Sequence, residues 1–488
     1  MWKLNKTRTV TSNFVSVFIG EVLCTGISLL TALVLANGLG AVLFGLVSIA
    51  TSLTEVFFSI SDMGMQSWSI REMSRSPDSI KGTVRSLTRA KLIVALAIFI
   101  SFTSVSFLVY GFSIFIELFV FFAFSLVADT FTLVLYSVFQ AVERMYLYSA
   151  SRVLATSVFF IGSYITVEIG AGITLVGMSY MLSRYSVLGF SLLLGFGLRL
   201  FKGSDTEIPI TSVFKASAPF AILVVLTSVI PRSDIIMLSF LFIAEPQLAG
   251  IYAAALKIFL ITTMIATALL IGLYPLLSSS FVSDTSMFKY TARKTLKYLL
   301  IGGTLLSLLF LSLSIPLVAF LYTAEYVEAG LLLQILGFSS FLTFSRMGFE
   351  WIFNAADMQN KVVKCSGARF VTNILLNFSV FYIGLVGIAI ASVVAEIIAL
   401  VGFMLYVRKS SVISLGGLSM DTIKILIAAG LTLIIFNISI GFIPIVAGFF
   451  GLVFQSGIIL GVFGIIIMVL VIDKDDIRLL KQALRTES

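Results

Sequence analysis

Apolar residues recur along this chain in runs long enough to cross a lipid bilayer, with short polar stretches between them. A transmembrane helix needs about 20 mostly apolar residues, and most of the runs reach that length. The pattern predicts fourteen spanning helices, at 14–36, 41–66, 92–112, 114–138, 153–168, 173–197, 216–243, 248–275, 298–321, 330–353, 370–382, 386–407, 425–440 and 445–472. We therefore predict an all-α integral membrane protein.

Composition and the placement of basic residues agree with this class and set an orientation. With 59% apolar and 11% charged residues, the chain does not have the composition of a soluble enzyme. All but four of the 32 Lys and Arg residues fall in predicted segments on one side of the membrane. Because basic residues concentrate in short cytoplasmic loops, we predict a multi-pass protein of the cell membrane with both termini cytoplasmic. The net charge of +8 then suits anionic inner-leaflet lipid rather than nucleic acid.

The predicted outer loops are very short, and this excludes several kinds of enzyme. They leave no sizeable domain in which a membrane glycosyltransferase could act, and the sequence has no Gly-rich phosphate-binding loop with its Lys. The chain has no His, and its two cysteines, Cys24 and Cys365, fall in the first span and on the cytoplasmic side, so we expect no disulfide. We predict that the protein is not an enzyme and has no cofactor other than a coupling ion.

Similar short motifs occupy corresponding places in the two halves of the chain. Segment 45–50 (GLVSIA) opens the second span and 250–255 (GIYAAA) the eighth, while 172–174 (GIT) opens the sixth and 387–389 (GIA) the twelfth. Internal repeats are typical of transporters, although small residues also simply let membrane helices approach closely. We expect an N-terminal lobe at 1–207, a second lobe at 208–410, and spans thirteen and fourteen with a cytoplasmic tail at 411–488.

Motifs over nearly the whole chain carry a family resemblance. They are Leu39-Gly40 through Gly45, Asp62-Met63-Gly64, Ile70-Arg71-Glu72, Pro219, Arg232-Ser233-Asp234, segment 250–255, Tyr274-Pro275, Asn373, Asn377, Gly384 and Gly387. Together they resemble the polysaccharide-biosynthesis flippases, the oligosaccharide branch of the multidrug/oligosaccharidyl-lipid/polysaccharide exporters. The resemblance implies two six-helix lobes arranged as a V around a central cavity, with two more helices outside. It also implies movement of a polyprenyl- or dolichyl-linked oligosaccharide from the inner to the outer leaflet.

Polar residues at helical spacing mark three of the predicted spans. Their members include Ser48, Ser52, Glu55, Ser59 and Asp62 in span two; Ser125, Asp129, Thr132 and Tyr136 in span four; and Ser339, Thr343, Arg346 and Glu350 in span ten. An ionised side chain at mid-span costs about 2.5–3.5 kcal/mol, so such residues face protein or water rather than lipid. The three stripes predict a polar cavity.

Four cations within the apolar spans are candidates for binding the phosphate of a lipid-linked sugar: Arg184, Arg232, Lys257 and Arg346. Arg binds phosphate through paired hydrogen bonds. Lys257 shares a helical face with small residues, which points it into the bundle, and Pro231 is expected to widen the helix before Arg232. The alternative, which stays open, is that each cation pairs with a buried acid; Arg346 and Glu350, one turn apart, could do so within one helix.

Five acids within the spans are candidates for coupling transport to H⁺ or Na⁺: Glu55, Asp129, Glu21, Asp234 and Glu396. A buried carboxylate can titrate or bind a cation. Asp62, nearer the cytoplasmic boundary, is expected to cap a helix or pair with Arg71. The basic segment from Arg71 to Lys91 is expected to be a cytoplasmic loop, and segment 473–476 a solvated helix end.

The sequence thus predicts a flippase that moves a polyprenyl- or dolichyl-(pyro)phosphate-linked oligosaccharide outward by alternating access, for surface polysaccharide or glycan assembly. The alternative is a cation-coupled multidrug exporter of the same superfamily, which Glu21 favours and the four buried cations disfavour. A lipid II flippase is a further relative, but span one contains no Arg or Lys. The expected partners are lipid-linked oligosaccharide, membrane lipids and glycan-assembly enzymes, with no nucleic acid, and we expect a monomer.

Overall fold

The computed structural model describes residues 2–111, 115–201, 208–410, 415–442, 448–473 and 476, and within these ranges it contains helices and no strand. The helices are α1 Trp2–Asp62, α2 Met65–Arg75, α3 Ile80–Tyr110, α4 Ile116–Ala141, α5 Met145–Glu168, α6 Gly172–Gly197, α7 Ile210–Val229, α8 Ser233–Leu241, α9 Pro246–Ser283, α10 Thr285–Leu321, α11 Val327–Phe338, α12 Ser340–Ala355, α13 Gln359–Asn377, α14 Val380–Ile383, α15 Leu385–Ser410, α16 Leu415–Phe442 and α17 Phe449–Leu470. The all-α prediction is confirmed.

The helices also have the length and composition of membrane spans. Among the described residues, nine helices are long and apolar enough to cross a membrane, and a bent pair, Ala324–Phe338 with Ser340–Ala355, makes a tenth. Each of the fourteen predicted spans coincides with a helix, one arm of α1 or an adjacent pair. The predicted starts of spans four and fourteen lie outside the described residues, as do Lys474, Asp475 and the side chains of Pro219 and Pro275. The protein is a multi-pass membrane protein.

Spans one and two form a single element that folds back on itself at a glycine. Gly40 has φ 76° and ψ 173°, a conformation that favours Gly, and it interrupts α1 between the two predicted spans. A straight helix would place Ser28 and Glu55 about 40 Å apart. The two residues nevertheless line one small cavity. The chain therefore reverses direction at Gly40, and the two arms of α1 face each other.

Two of the repeated motifs pack against each other through their glycines. A Cβ on Gly45 of α1 would overlap the carbonyl oxygen of Pro246, and one on Gly250 of α9 would overlap the carbonyl oxygen of Ala41. The backbones of α1 and α9 are thus in direct contact, because membrane helices that present glycine can approach closely. Close packing is the physical role of these two positions, whether or not they also reflect an internal repeat.

Replacing Gly45 with alanine is expected to destabilise the protein by about 1–3 kcal/mol, because the added methyl must displace backbone rather than a flexible side chain. Gly26 on the same helix supplies a matched control, since no heavy atom lies within 4 Å of a Cβ built there. Thermal unfolding of the purified variants in detergent checks this. Gly45→Ala should lower the midpoint, and Gly26→Ala should hold or raise it; equal midpoints would contradict the backbone contact.

Several predicted boundaries were wrong, because polar and basic residues extend the helices beyond their apolar cores. The basic segment that was expected to be a loop is helical: Arg71 and Arg75 belong to α2, and α3 runs on from Ile80 through Lys91. Similarly, α5 begins at Met145 rather than 153, and α13 begins at Gln359 rather than 370. As a result, Arg152 lies within a spanning helix and not in the loop before it.

The expected helix-capping role of Asp62 is confirmed, and the lysine that lies beside its carboxylate was not predicted. The Asp62 carboxylate accepts a hydrogen bond from the Gln66 backbone N–H in the first turn of α2, at 2.9 Å. The Lys91 ammonium lies 3.6 Å from the same carboxylate and donates a 2.7 Å hydrogen bond to the Ser61 carbonyl. Lys91 is buried, and its contacts with Ser61 and Asp62 stabilise the end of α1 where the chain breaks before α2.

The chain divides into two compact units, Met1–Lys257 and Ile258–Ser488, called here the N-terminal and C-terminal units. The N-terminal unit has an apolar cluster that includes Met73, Leu135 and Phe139. A larger cluster in the C-terminal unit joins α10, α12, α15, α16 and α17. The lobe boundaries expected at 207 and 410 stay predictions.

The segment after α17 is not the solvated helix end that the sequence suggested. Asp476 is 1% exposed and accepts hydrogen bonds from Lys294 and Lys297 at 2.5 Å each, and from the Tyr298 hydroxyl at 2.7 Å. Burial alone would raise the pKa of Asp476, but the hydrogen bonds from Lys294, Lys297, the backbone at Asp473 and Tyr298 together outweigh it and hold that pKa below its usual range. This carboxylate links the segment after α17 to α10.

Candidate functional site

A polar cavity of about 110 Å³ lies within the N-terminal unit. Residues of both arms of α1, of α5, of α6 and of α9 line it: Ser28, Thr31, Ala32, Leu35, Phe44, Val47, Ser48, Thr51, Glu55, Ala155, Thr156, Phe159, Tyr180, Arg184 and Lys257. One water needs about 10–15 Å³ on this measure, so the cavity has room for several waters or a compact polar group. Of the three polar stripes that predicted a cavity, only that of span two lines this one, through Ser48 and Glu55, and two of the four candidate cations reach it.

The hydroxyl groups in the wall present acceptors to the cavity. Thr31, Ser48 and Thr51 each donate their hydroxyl hydrogen to a backbone carbonyl of their own helix, at 2.8 Å, 2.8 Å and 2.9 Å. Their oxygen lone pairs remain for water or a ligand. The charged hydrogen-bond donors in the cavity wall are Arg184 and Lys257.

Arg232 is held by Glu55, the acid at the cavity wall. The Arg232 Nε–H donates to the Glu55 carboxylate, and the pair joins α1 to the turn between α7 and α8. That turn, Ile230–Arg232, is a 3₁₀ turn closed by a hydrogen bond from the Ser233 N–H to the Ile230 carbonyl. The widening expected at Pro231 is therefore wrong: the helix tightens there instead, as 3₁₀ geometry requires.

Arg184 is held less tightly than Arg232. Its Nε lies 3.7 Å from the Asp129 carboxylate, beyond hydrogen-bond distance, and this buried nitrogen has no hydrogen-bond partner among the described residues. The guanidinium donates to the Tyr180 hydroxyl at 2.9 Å and lies over the Tyr180 ring, 4.7 Å from its centroid. Arg184 is thus oriented by Tyr180 and keeps donor capacity for another anion.

Lys257 differs from the other three candidate cations in its lack of a salt bridge to a carboxylate within the described structure. In the part of the chain that the structure describes, its ammonium forms no salt bridge and no hydrogen bond, and the charges acting on it are Glu55, which attracts it, and Arg232, which repels it. Glu55 is already bonded to Arg232. The cavity therefore carries a surplus positive charge at Lys257.

The remaining candidate acids of the N-terminal unit are also engaged. Glu21 forms an ion pair with Arg152 of α5, which the sequence interpretation had placed in a loop. Asp234 accepts a 2.5 Å hydrogen bond from the Tyr252 hydroxyl. Neither acid lines the cavity, and the proposed coupling role of these residues stays a prediction.

In the C-terminal unit, Arg346 belongs to a buried network of two arginines and two glutamates. It contacts Glu350 at 2.6 Å, the pairing within one helix that the sequence allowed, and Glu396 at 2.5 Å. Arg369 reaches Glu396 at 2.8 Å. The network has no net charge and ties α12, α13 and α15 together. Among the described residues, no group of three or more His, Cys, Asp or Glu side chains could hold a metal ion.

Comparison with known proteins places this geometry in a family. The family model of the polysaccharide biosynthesis proteins matches residues 10–281. A search of curated proteins gives no match. The fold is similar to that of the lipid II flippase MurJ in an inward closed conformation, with a TM-score of 0.75 and 15% identity over 93% of this chain and 98% of that one.

Multidrug transporters share the fold as well. An inward-facing transporter of the multidrug resistance MATE family, part of the MOP superfamily, gives a TM-score of 0.69 and 15% identity over 80% of this chain and 95% of that one. A mutant of the MATE transporter VcmN from Vibrio cholerae gives 0.56 and 13% identity over 83% and 98%. At these identities the likeness establishes the fold. Because the family model matches more than half of its 488 residues, the chain belongs to the polysaccharide biosynthesis protein family.

Proposed function

We propose that this protein is a flippase that moves a polyprenyl- or dolichyl-(pyro)phosphate-linked oligosaccharide from the cytoplasmic to the outer leaflet by alternating access. The surplus charge of Lys257 is the observation that carries the proposal. A cation within a membrane-spanning helix costs about 2.5–3.5 kcal/mol to insert, and among the described residues no carboxylate forms a salt bridge with Lys257 to offset that cost. An anionic substrate group that enters the cavity would supply that counter-charge.

Arg184 complements Lys257 as a phosphate ligand. Its guanidinium is positioned by Tyr180, and its Nε has no hydrogen bond to any residue that the structure describes, so it can donate to phosphate oxygens without first breaking a close ion pair. Arg232 and Arg346, by contrast, each have a closely bonded carboxylate. We therefore assign direct phosphate binding to Lys257 and Arg184, and we assign Arg232 to holding Glu55 in place.

The alternative function, a cation-coupled multidrug exporter, draws on the shared MATE fold. A cationic drug in this cavity would meet Lys257 and Arg184 with only Glu55 in the wall to attract it, and Glu55 is already paired. The negative charges needed to attract a cationic drug would have to come from elsewhere in the protein. The charge of the cavity therefore favours an anionic substrate.

Depletion and restoration of the protein in its source cells tests the proposal. The measurement is the fraction of lipid-linked glycan that a membrane-impermeant lectin or glycosidase can reach in sealed spheroplasts. Depletion should confine the glycan to the cytoplasmic leaflet, and re-expression should return it to the outer leaflet. An unchanged distribution, together with loss of resistance to cationic drugs on depletion, would support the multidrug alternative instead.

A further inference from the structure

A second polar cluster lies beside the cavity in the N-terminal unit, and the phosphate-binding proposal does not use it. Its centre is the ion pair between Glu21 of α1 and Arg152 of α5, whose side chains are 39% and 35% exposed. Both residues lie in helices that qualify as membrane spans. Because an ionised pair facing lipid would be costly, the exposed parts of these side chains face water or a ligand.

Two tyrosine rings complete the cluster. The Arg152 guanidinium lies over the Tyr148 ring, 5.6 Å from its centroid. The Tyr136 ring, from α4, meets Tyr148 edge to face with centroids 4.9 Å apart and planes at 81°. Both tyrosines are only half-buried, so part of their aromatic surface stays accessible. The group of Glu21, Arg152, Tyr148 and Tyr136 is called here the tyrosine cluster.

The tyrosine cluster is continuous with the cavity. Thr156, one helical turn beyond Arg152 on α5, lines the cavity and also contacts the Cys24 thiol, at 3.8 Å, between Glu21 and the cavity wall. On α4, Tyr136 lies two turns beyond Asp129, and it is within electrostatic range of Asp129, Arg184 and Arg152. A ligand bound at Arg184 and Lys257 could therefore extend along α5 to the tyrosine cluster.

The two neighbouring sites differ in charge, and this difference indicates what each would bind. The cavity has surplus positive charge at Lys257, whereas Glu21 and Arg152 neutralise each other. A neutral cluster has little preference for phosphate. It does offer carboxylate acceptors, guanidinium donors and aromatic faces, the groups that suit a sugar, which presents hydroxyls at its edge and C–H bonds on its faces.

We propose that the tyrosine cluster is a sugar-binding subsite, which holds the first residues of the glycan while Lys257 and Arg184 bind the adjoining phosphate. This inference rests on the proposed function, because it assumes a lipid-linked oligosaccharide as substrate. Tyr148 and Tyr136 stack against the sugar, Glu21 accepts hydrogen bonds from its hydroxyls, and Arg152 donates to its oxygens. The subsite thus gives the transporter a preference for glycosylated lipid over the bare lipid carrier.

Binding measurements on the purified protein in lipid nanodiscs test this subsite with two probes. One is synthetic polyprenyl diphosphate without sugar, and the other is lipid-linked oligosaccharide extracted from source cells depleted of this protein. The wild type should bind the glycosylated probe more tightly. Two variants remove the sugar contacts: Tyr148→Leu leaves the ion pair intact, and the double variant Glu21→Gln/Arg152→Gln keeps the cluster neutral. Each should lower the affinity for the glycosylated probe about tenfold and change the affinity for the bare diphosphate by no more than about twofold.

A matched substitution elsewhere on α5 separates a subsite from general disturbance of the helix. Tyr164 is 50% exposed and lies about three turns beyond Arg152 and more than four turns beyond Tyr148, so Tyr164→Leu should leave both affinities unchanged. The sugar subsite would be overturned, with the phosphate site left standing, by either of two results. One is equal affinity of the wild type for the two probes, and the other is an equal fall in affinity for both probes in Tyr148→Leu. Failure of the wild type to bind either probe would overturn the proposed function as well.

Discussion

Lys257→Gln is expected to confine lipid-linked glycan to the cytoplasmic leaflet of cells that depend on this protein. The substitution keeps most of the side-chain volume but removes the one charge, among the described residues of the cavity wall, that has no carboxylate in a salt bridge with it. A hydrogen bond to a charged group contributes about 1.5–3 kcal/mol, so its loss should weaken substrate binding by a factor of about 10 to 150. Lys257→Glu, which places two acids in the cavity wall, should abolish outward movement of the glycan.

Lys364→Gln is the control for this prediction. Lys364 is an exposed residue of α13, outside the cavity, and its loss changes the net charge by the same amount. Glycan accessible to an impermeant lectin should stay at the wild-type level in this variant. If Lys257→Gln also leaves the accessible fraction unchanged while the protein is present at normal amounts, Lys257 does not bind the substrate phosphate.

Arg346→Met is expected to cause the largest loss of stability among the four candidate cations. Arg346 bridges Glu350 and Glu396 in a buried network, and Glu396 retains Arg369 after the change, whereas Glu350 loses its only close cation in the described structure. Removal of one partner from a buried pair costs about 3–5 kcal/mol, because the other charge is left uncompensated. Thermal unfolding in detergent should show a much lower midpoint.

A second substitution identifies the source of that loss. In the Arg346→Met background, Glu350→Gln removes the uncompensated carboxylate and should recover much of the lost stability. The same assay on Lys257→Gln should show a midpoint close to that of the wild type, because no pair is broken. A stable Arg346→Met protein that no longer moves glycan would contradict this view and make Arg346 a substrate ligand.

The membrane class, the helices and the presence of a polar cavity were predictable from sequence, because a lipid environment leaves the backbone few alternatives to the helix. The stripe that contains Glu55 pointed correctly to the cavity wall. The reversal at Gly40 was also implied by two successive spans, and the structure adds that the break is confined to one glycine. These features depend on local patterns of apolar and polar residues.

The Arg346–Glu350 pair, one turn apart in a single helix, could be foreseen, but the other buried pairs could not, because they join residues that are distant in sequence. Glu55 pairs with Arg232 from a helix far along the chain, and nothing local to either residue indicates the other. Basic residues usually mark the ends of spans, which places Arg152 in a predicted loop, yet it lies within α5 and forms an ion pair with Glu21 of α1. Asp476, in a charged segment that looked solvated, is buried against Lys294 and Lys297.

Reconstitution in liposomes measures whether this protein alone moves the glycan outward, because the other proteins of the cell are absent. The purified protein is placed in liposomes that carry the extracted lipid-linked oligosaccharide in the inner leaflet, and an external lectin or glycosidase measures the fraction that becomes accessible with time. We expect exposure of the glycan with the wild type and with Lys364→Gln, and little exposure with Lys257→Gln. Equal exposure with Lys257→Gln, or none with the wild type, would contradict it.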